Sequence, residues 1–93
     1  MPSKRYHFTV HGRVQGVFFR KHIKEKADKL GVKGYVKNGS DGNSVEVVAE
    51  GEEQQLKELL KFCKIGPTAA KVDHVDFHES EFENAFGEFV IQY

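Results

Sequence analysis

Tyr6-His7-Phe8-Thr9-Val10-His11-Gly12-Arg13-Val14-Gln15-Gly16-Val17-Phe18-Phe19-Arg20 changes its rhythm partway along. Tyr6, Phe8 and Val10 alternate with His7, Thr9 and His11, the two-residue period of a strand with one buried and one polar face. Gly12 and Gly16 bracket a turn-rich stretch, and beyond it Phe19, Ile23, Ala27 and Leu30 recur at helical spacing. Gly31 suits a left-handed C-cap, so a helix is expected from Phe19 to Leu30. The chain thus opens with a strand, a glycine-bearing loop and a helix.

Working outward, Gly34 to Lys37 is short and β-like, and Ser44 to Glu50 places Val45, Val47 and Ala49 on one face. Between them two turns compete, Asn38-Gly39 and Asp41-Gly42. A turn centred on Asn38-Gly39 forces Asp41 and Gly42 into the next strand, where both are poor residents, so the Asp41-Gly42 turn is expected and Asn38 ends a strand. Leu56, Leu59, Leu60 and Cys63 follow helical spacing behind Glu52 and Glu53, and Gly66-Pro67 stops that second helix. Val75 and Phe77, then Phe89, Ile91 and Tyr93, alternate again and predict a fourth strand and a short C-terminal one. The order βαββαβ plus a final strand predicts an α+β, ferredoxin-like sandwich, an antiparallel sheet with two helices on one face. Strands 1 and 2 flank a crossover helix, so they run parallel, and the loop after His11 should meet Asn38.

Composition narrows the functions. The 93 residues, 39% of them hydrophobic, suit a single domain spanning 1–93. Fourteen basic and fourteen acidic side chains cancel, which leaves no long-range field to attract nucleic acid or an anionic membrane, so any anion site must be local. Cys63 is alone, which excludes an internal disulfide and the paired thiols of a soft-metal carrier and favours a reducing compartment. Met1 to Val10 has no apolar stretch of signal-peptide type, and no apolar run reaches membrane-spanning length, so a cytoplasmic protein is expected. A monomer is the default.

The loop joins a strand to a helix N-terminus, where backbone N–H groups lack intrahelical partners and the dipole is positive, a setting that binds oxyanions. Gly12 and Gly16 let the backbone curl, and Arg20 in the first helical turn adds a planar fork of charged donors. The same residues also fit a plain tight turn followed by a solvated arginine, and Asn38 fits a plain turn asparagine. Neither the Walker spacing nor the dinucleotide fingerprint is present. His7 and His11 share one strand face, His22 lies on a helix, and His74 and His78 lie on a strand expected to be distant, so no metal site is expected. Lys21, Lys24, Lys26 and Lys29 read as a solvated helix face.

Gly12-Arg13-Val14-Gln15-Gly16-Val17-Phe18-Phe19-Arg20 resembles the signature loop of the acylphosphatases. Leu30-Gly31-Val32-Lys33-Gly34-Tyr35-Val36-Lys37-Asn38 resembles that family's second motif, Val45 to Gly51 its third strand, Gly66-Pro67 the end of its second helix, and Phe89 to Tyr93 its closing strand. The resemblance implies a hydrolase that splits carboxyl-phosphate mixed anhydrides without metal or other cofactor, Arg20 and the Gly12 to Arg20 loop binding phosphate and Asn38 holding water. Its partners would be a small acyl phosphate and inorganic phosphate. Phe18 occupies a position that varies in the family and is assigned packing only. Among rivals, an RNA-recognition module should display aromatics on its third strand, where Ser44 to Glu50 offers Glu46 and Glu50 instead. The same scaffold could also handle carbamoyl phosphate for a larger assembly, or sense phosphate without catalysis.

Overall fold

The computed structural model describes residues 2–16 and 18–93. Its elements are β1 (Ser3–Arg13), α1 (Phe19–Leu30), β2 (Lys33–Asn38), β3 (Ser44–Glu52), α2 (Glu53–Ile65), β4 (Lys71–Glu81) and β5 (Phe89–Gln92). They form one sheet of order β4-β1-β3-β2-β5. Because β3 is antiparallel to both β1 and β2, those two are parallel and finish at the same end of the sheet. β4 joins β1 antiparallel and β5 joins β2 in parallel, so the expected antiparallel sheet becomes mixed at its β5 side.

Alternation in β1 puts Tyr6, Phe8 and Val10 opposite Ala49, Val47 and Val45, and all six are buried. α1 covers them with Phe19, Ile23 and Ala27, and α2 with Leu56, Leu59 and Cys63. Each large apolar side chain buried this way contributes about 1.5–3 kcal/mol. Burial also pushes the free Cys63 thiol far above its ordinary range, which makes it inert.

Asn38 pairs with Val45, which fixes the β2–β3 turn over Asp41-Gly42 rather than Asn38-Gly39. Gly39 still bonds to the Ser44 carbonyl, leaving a four-residue connection in which Gly42 takes a φ of 80°. Asp41 holds the connection by accepting from the Asn43 N–H at 2.9 Å and the Ser44 hydroxyl at 2.8 Å. Those two bonds, the backbone one foremost, keep its carboxyl below the usual aspartate range.

Three sequence expectations change. β1 runs on to Arg13 through a bulge between His11 and Gly12, whereas alternation alone ends it near His11. At Gly12, with φ 138°, a Cβ would strike the Lys71 backbone carbonyl, so glycine serves the close approach of β4. The strand carrying His74 and His78 is not distant from the first histidines: His11 lies opposite His74 and His7 opposite His78. Strand neighbourhood is a property of topology, which local periodicity does not encode.

Glu50 faces away from the helices yet is buried beneath the β4–β5 loop. Its carboxylate accepts from the backbone N–H groups of Glu83 at 2.6 Å and Ala85 at 2.8 Å, and lies 3.7 Å from the Arg5 guanidinium. Glu50→Ala is expected to lower the unfolding free energy by about 3 kcal/mol, since it strands a partly buried guanidinium and two loop N–H groups. Urea titration checks this, and a loss below about 1 kcal/mol, the scale of one ordinary hydrogen bond, would mean the loop holds itself.

Candidate active site

Where β1 and β2 finish, a cavity of about 410 Å³ opens. Its walls are Val14 and Gly16 from the loop, Phe18 to Lys21 at the start of α1, Asn38 from β2, and Ile91 and Tyr93 from the C-terminal end. Among the described lining residues, Arg20 and Lys21 carry the charged side chains, and none carries an acidic one. In a chain of zero formal net charge, this is a local positive site of the kind an anion requires.

Arg20 stands in the first turn of α1, and β5 fixes its direction. Lys37 of β2 pairs with Gln92 of β5, which sets the Gln92 carbonyl to accept from Arg20 Nη1 at 3.1 Å. The guanidinium carbon lies 4.8 Å from the centre of the Tyr93 ring, a cation–π contact. One turn on, Lys24 donates to the Phe89 carbonyl at 2.9 Å, so two cations of α1 tie down β5. The lysines read as a solvated face therefore divide, Lys24 holding a strand and Lys21 lining the cavity.

Asn38 reaches the cavity by strand register. Its neighbour Val45 is wholly buried on the helix side, and cross-strand partners share a face. The Asn38 Oδ1 is buried and has no hydrogen-bond partner among the described residues. Leaving a buried acceptor unpaired costs about 1–3 kcal/mol, and such orphans in native proteins mark places where a ligand or water is bound.

The expected loop divides between two places. Val14, Gly16, Phe18, Phe19 and Arg20 line the cavity, and Val17 lies outside the described residues. Gly12, Arg13 and Gln15 instead border a second cavity of about 380 Å³ with His11 and Asp73. The Gly12 N–H is already donated to the Asn43 carbonyl at 2.9 Å, so it does not point at an anion. Gln15 serves the site from outside: its Nε2 donates to the Gly39 and Ser44 carbonyls, each at 2.9 Å, and so straps the loop to the turn beyond Asn38. Phe18 is not packed, as expected from sequence, but 76% exposed, and its left-handed backbone (φ 59°, ψ 22°) precedes α1 without a side-chain cap. A non-glycine residue in that conformation is strained, a feature that gathers at functional sites.

Sequence reasoning missed Lys21, Ile91, Tyr93 and the Gln92 carbonyl. The available signal was the closing strand itself: a short apolar strand after a crossover helix could lie beside β2 and bring its end to the site.

The acylphosphatase family model matches residues 6–91. This chain belongs to the acylphosphatase family. An acylphosphatase of Pyrobaculum aerophilum is 42% identical over 91 residues, spanning 98% of this chain and 96% of its own length. The crystal structure of the acylphosphatase from Bacillus subtilis matches with a TM-score of 0.91 at 39% identity, covering 97% of this chain and 99% of that one. An acylphosphatase from Coxiella burnetii matches with a TM-score of 0.90 at 37% identity, covering 98% and 94%.

Within this acylphosphatase fold, Gln15→Ala is expected to cost about 1–2 kcal/mol of unfolding free energy through its two lost hydrogen bonds, and to speed amide exchange at Gly39. Unchanged exchange at Gly39 would show that the strap does not restrain the turn.

Proposed function

We propose that residues 1–93 act as one catalytic domain that hydrolyses acyl phosphates to carboxylate and inorganic phosphate. Arg20 and the backbone amides of the loop and the α1 N-terminus hold the phosphoryl group, and Asn38 positions the attacking water. One observation carries this reading: Arg20 and the unpaired Oδ1 of Asn38 belong to the same cavity, whose charged side chains among the described residues are basic.

The chemistry asks for little else. The leaving group is a carboxylate whose conjugate acid has a pKa of roughly 4, so it departs at neutral pH without a general acid. The transferring phosphoryl group carries its charge on equatorial oxygens, where fixed donors stabilise it. Gln92 occupies one side of the Arg20 fork, and the remaining N–H groups are free to grip two phosphate oxygens. Asn38 Oδ1 accepts one water hydrogen and turns a lone pair towards phosphorus, opposite the leaving oxygen. No side-chain carboxylate or histidine is among the described residues that line the cavity, so a phosphate oxygen takes the second proton. A metal ion is not called for, because the guanidinium and amides supply the positive charge.

The lone buried thiol supports a reducing, cytoplasmic setting, and a monomer remains the default for the active unit. β3 turns Glu46 and Glu50 away from the helices where an RNA-binding sheet would show aromatics, which speaks against nucleic acid as partner. Among the described residues no helix is long and apolar enough to cross a membrane.

With benzoyl phosphate and acetyl phosphate as substrates, Arg20→Ala is expected to reduce turnover about a hundredfold or more and to weaken inhibition by inorganic phosphate, as loss of an oxyanion donor does. Near-normal hydrolysis by that variant would refute the assignment. Asn38→Ala should lower kcat while leaving phosphate inhibition intact, since water placement acts on the reaction and not on anion capture. An equal loss of phosphate binding would assign Asn38 to the anion instead. Both assays are run with and without a chelator, and wild-type turnover is expected to be the same in each.

A further inference from the structure

The face of the sheet turned away from the helices carries a second constellation. We propose that His11, His74 and Asp76 form a binding site for a borderline divalent transition-metal ion, zinc foremost. β1 and β4 are paired so that His11 lies opposite His74 and Thr9 opposite Asp76, which sets Asp76 diagonally from His11 on the same face. The Asp76 Oδ2 is 2.8 Å from His11 Nε2 and 4.0 Å from His74 Nε2. The two imidazoles stack with centres 4.3 Å apart and planes 9° from parallel, so the Nε2 edges of both lie against one carboxylate. One ligand atom from each residue lies within 4.8 Å of the others.

Zinc–ligand distances of about 2.0–2.2 Å in a tetrahedral site place ligand atoms roughly 3.4 Å apart, so His74 must approach by about 1 Å while the 2.8 Å contact of His11 with Asp76 opens slightly. They are free to do so. The His74 and Asp76 side chains are 61% and 71% exposed on an edge strand, where small torsional changes meet no packing resistance. Two imidazoles and one carboxylate suit zinc and its neighbours, with a fourth position left to water, whereas magnesium and calcium prefer an all-oxygen shell.

A histidine–aspartate pair alone does not account for the arrangement, because His11 already satisfies Asp76 and the stacked His74 adds nothing to that bond. The other cross-strand histidine pair supplies an internal control. His7 faces His78, but the nearby carboxylate of Glu46 is taken up by His7 at 3.2 Å, the Tyr35 hydroxyl at 3.1 Å and Lys37 at 3.5 Å. The pairs differ in that Asp76 has both of its histidines within 4.0 Å, whereas Glu46 is shared with a tyrosine and a lysine. Because His11 directly precedes the bulge leading into the loop, a bound ion would fasten β1 to β4 at the base of the phosphate site.

The test is independent of hydrolysis. Tag-free chain stripped of metal is titrated with zinc chloride in a calorimeter, and its Tm is recorded with and without zinc. One ion per chain and a raised Tm are expected, with magnesium chloride giving neither. His74→Ala and Asp76→Asn should each weaken zinc at least by the roughly 10- to 100-fold that loss of an outer-shell partner costs, while His78→Ala and His22→Ala leave it unchanged. Circular dichroism confirms that each variant is folded, and His74→Gln replaces His74→Ala if it is not. The proposal is overturned if wild-type protein shows no zinc-dependent heat or Tm change. It is equally overturned if the His74 and Asp76 variants bind as wild type does, or if His78→Ala weakens zinc as much as they do.

Discussion

A single row across the sheet governs the site: Val10 pairs with Val45, and Val45 pairs with Asn38. All three side chains turn to the helix side, because partners directly opposite one another share a face. Val10 and Val45 are wholly buried, so the register cannot slip by one residue without turning an entire hydrophobic set out to water. The price of shifting Asn38 is thus the loss of the core. A polar side chain is held at the rim of an apolar face by its neighbours' burial, and its acceptor oxygen has no partner among the described residues.

The same row explains how a chain without net charge concentrates positive charge at one point. β1 and β2 finish side by side around β3, α1 begins at the same end, and β5 lies parallel to β2 with its last residues there too. A loop, a helix N-terminus and the ends of two strands converge there. Elsewhere the charges neutralise one another, as where Lys24 faces Asp28 at 3.0 Å and Lys37 faces Glu46. The acids thus satisfy cations remote from the cavity, and Arg20 and Lys21 are left without one among its lining.

Much of this was legible in the residues. Phe19, Ile23, Ala27 and Leu30 with Gly31 defined α1 at its observed limits, and the poor fit of Asp41 and Gly42 in a strand located the turn that places Asn38. What escaped depends on partners far away in sequence. The extension of β1 to Arg13 follows from a bulge against β4, and the meeting of His11 with His74 follows from strand order. The Gln92 contact is made by a backbone carbonyl, which has no side-chain signature at all. Phe18 was assigned packing because its position varies in the family, whereas the left-handed turn before α1 leaves it exposed.

The contact between Arg20 and the end of β5 has a further consequence for catalysis. A free arginine side chain carries about 2 kcal/mol of rotamer entropy, which a substrate must otherwise freeze out on arrival. Here stacking on Tyr93 and the Gln92 carbonyl have already restricted it during folding. On the proposed assignment of Arg20 to the phosphoryl group, the guanidinium would meet the anion already restricted, so less of the binding energy would go to immobilisation and more to stabilising the transition state.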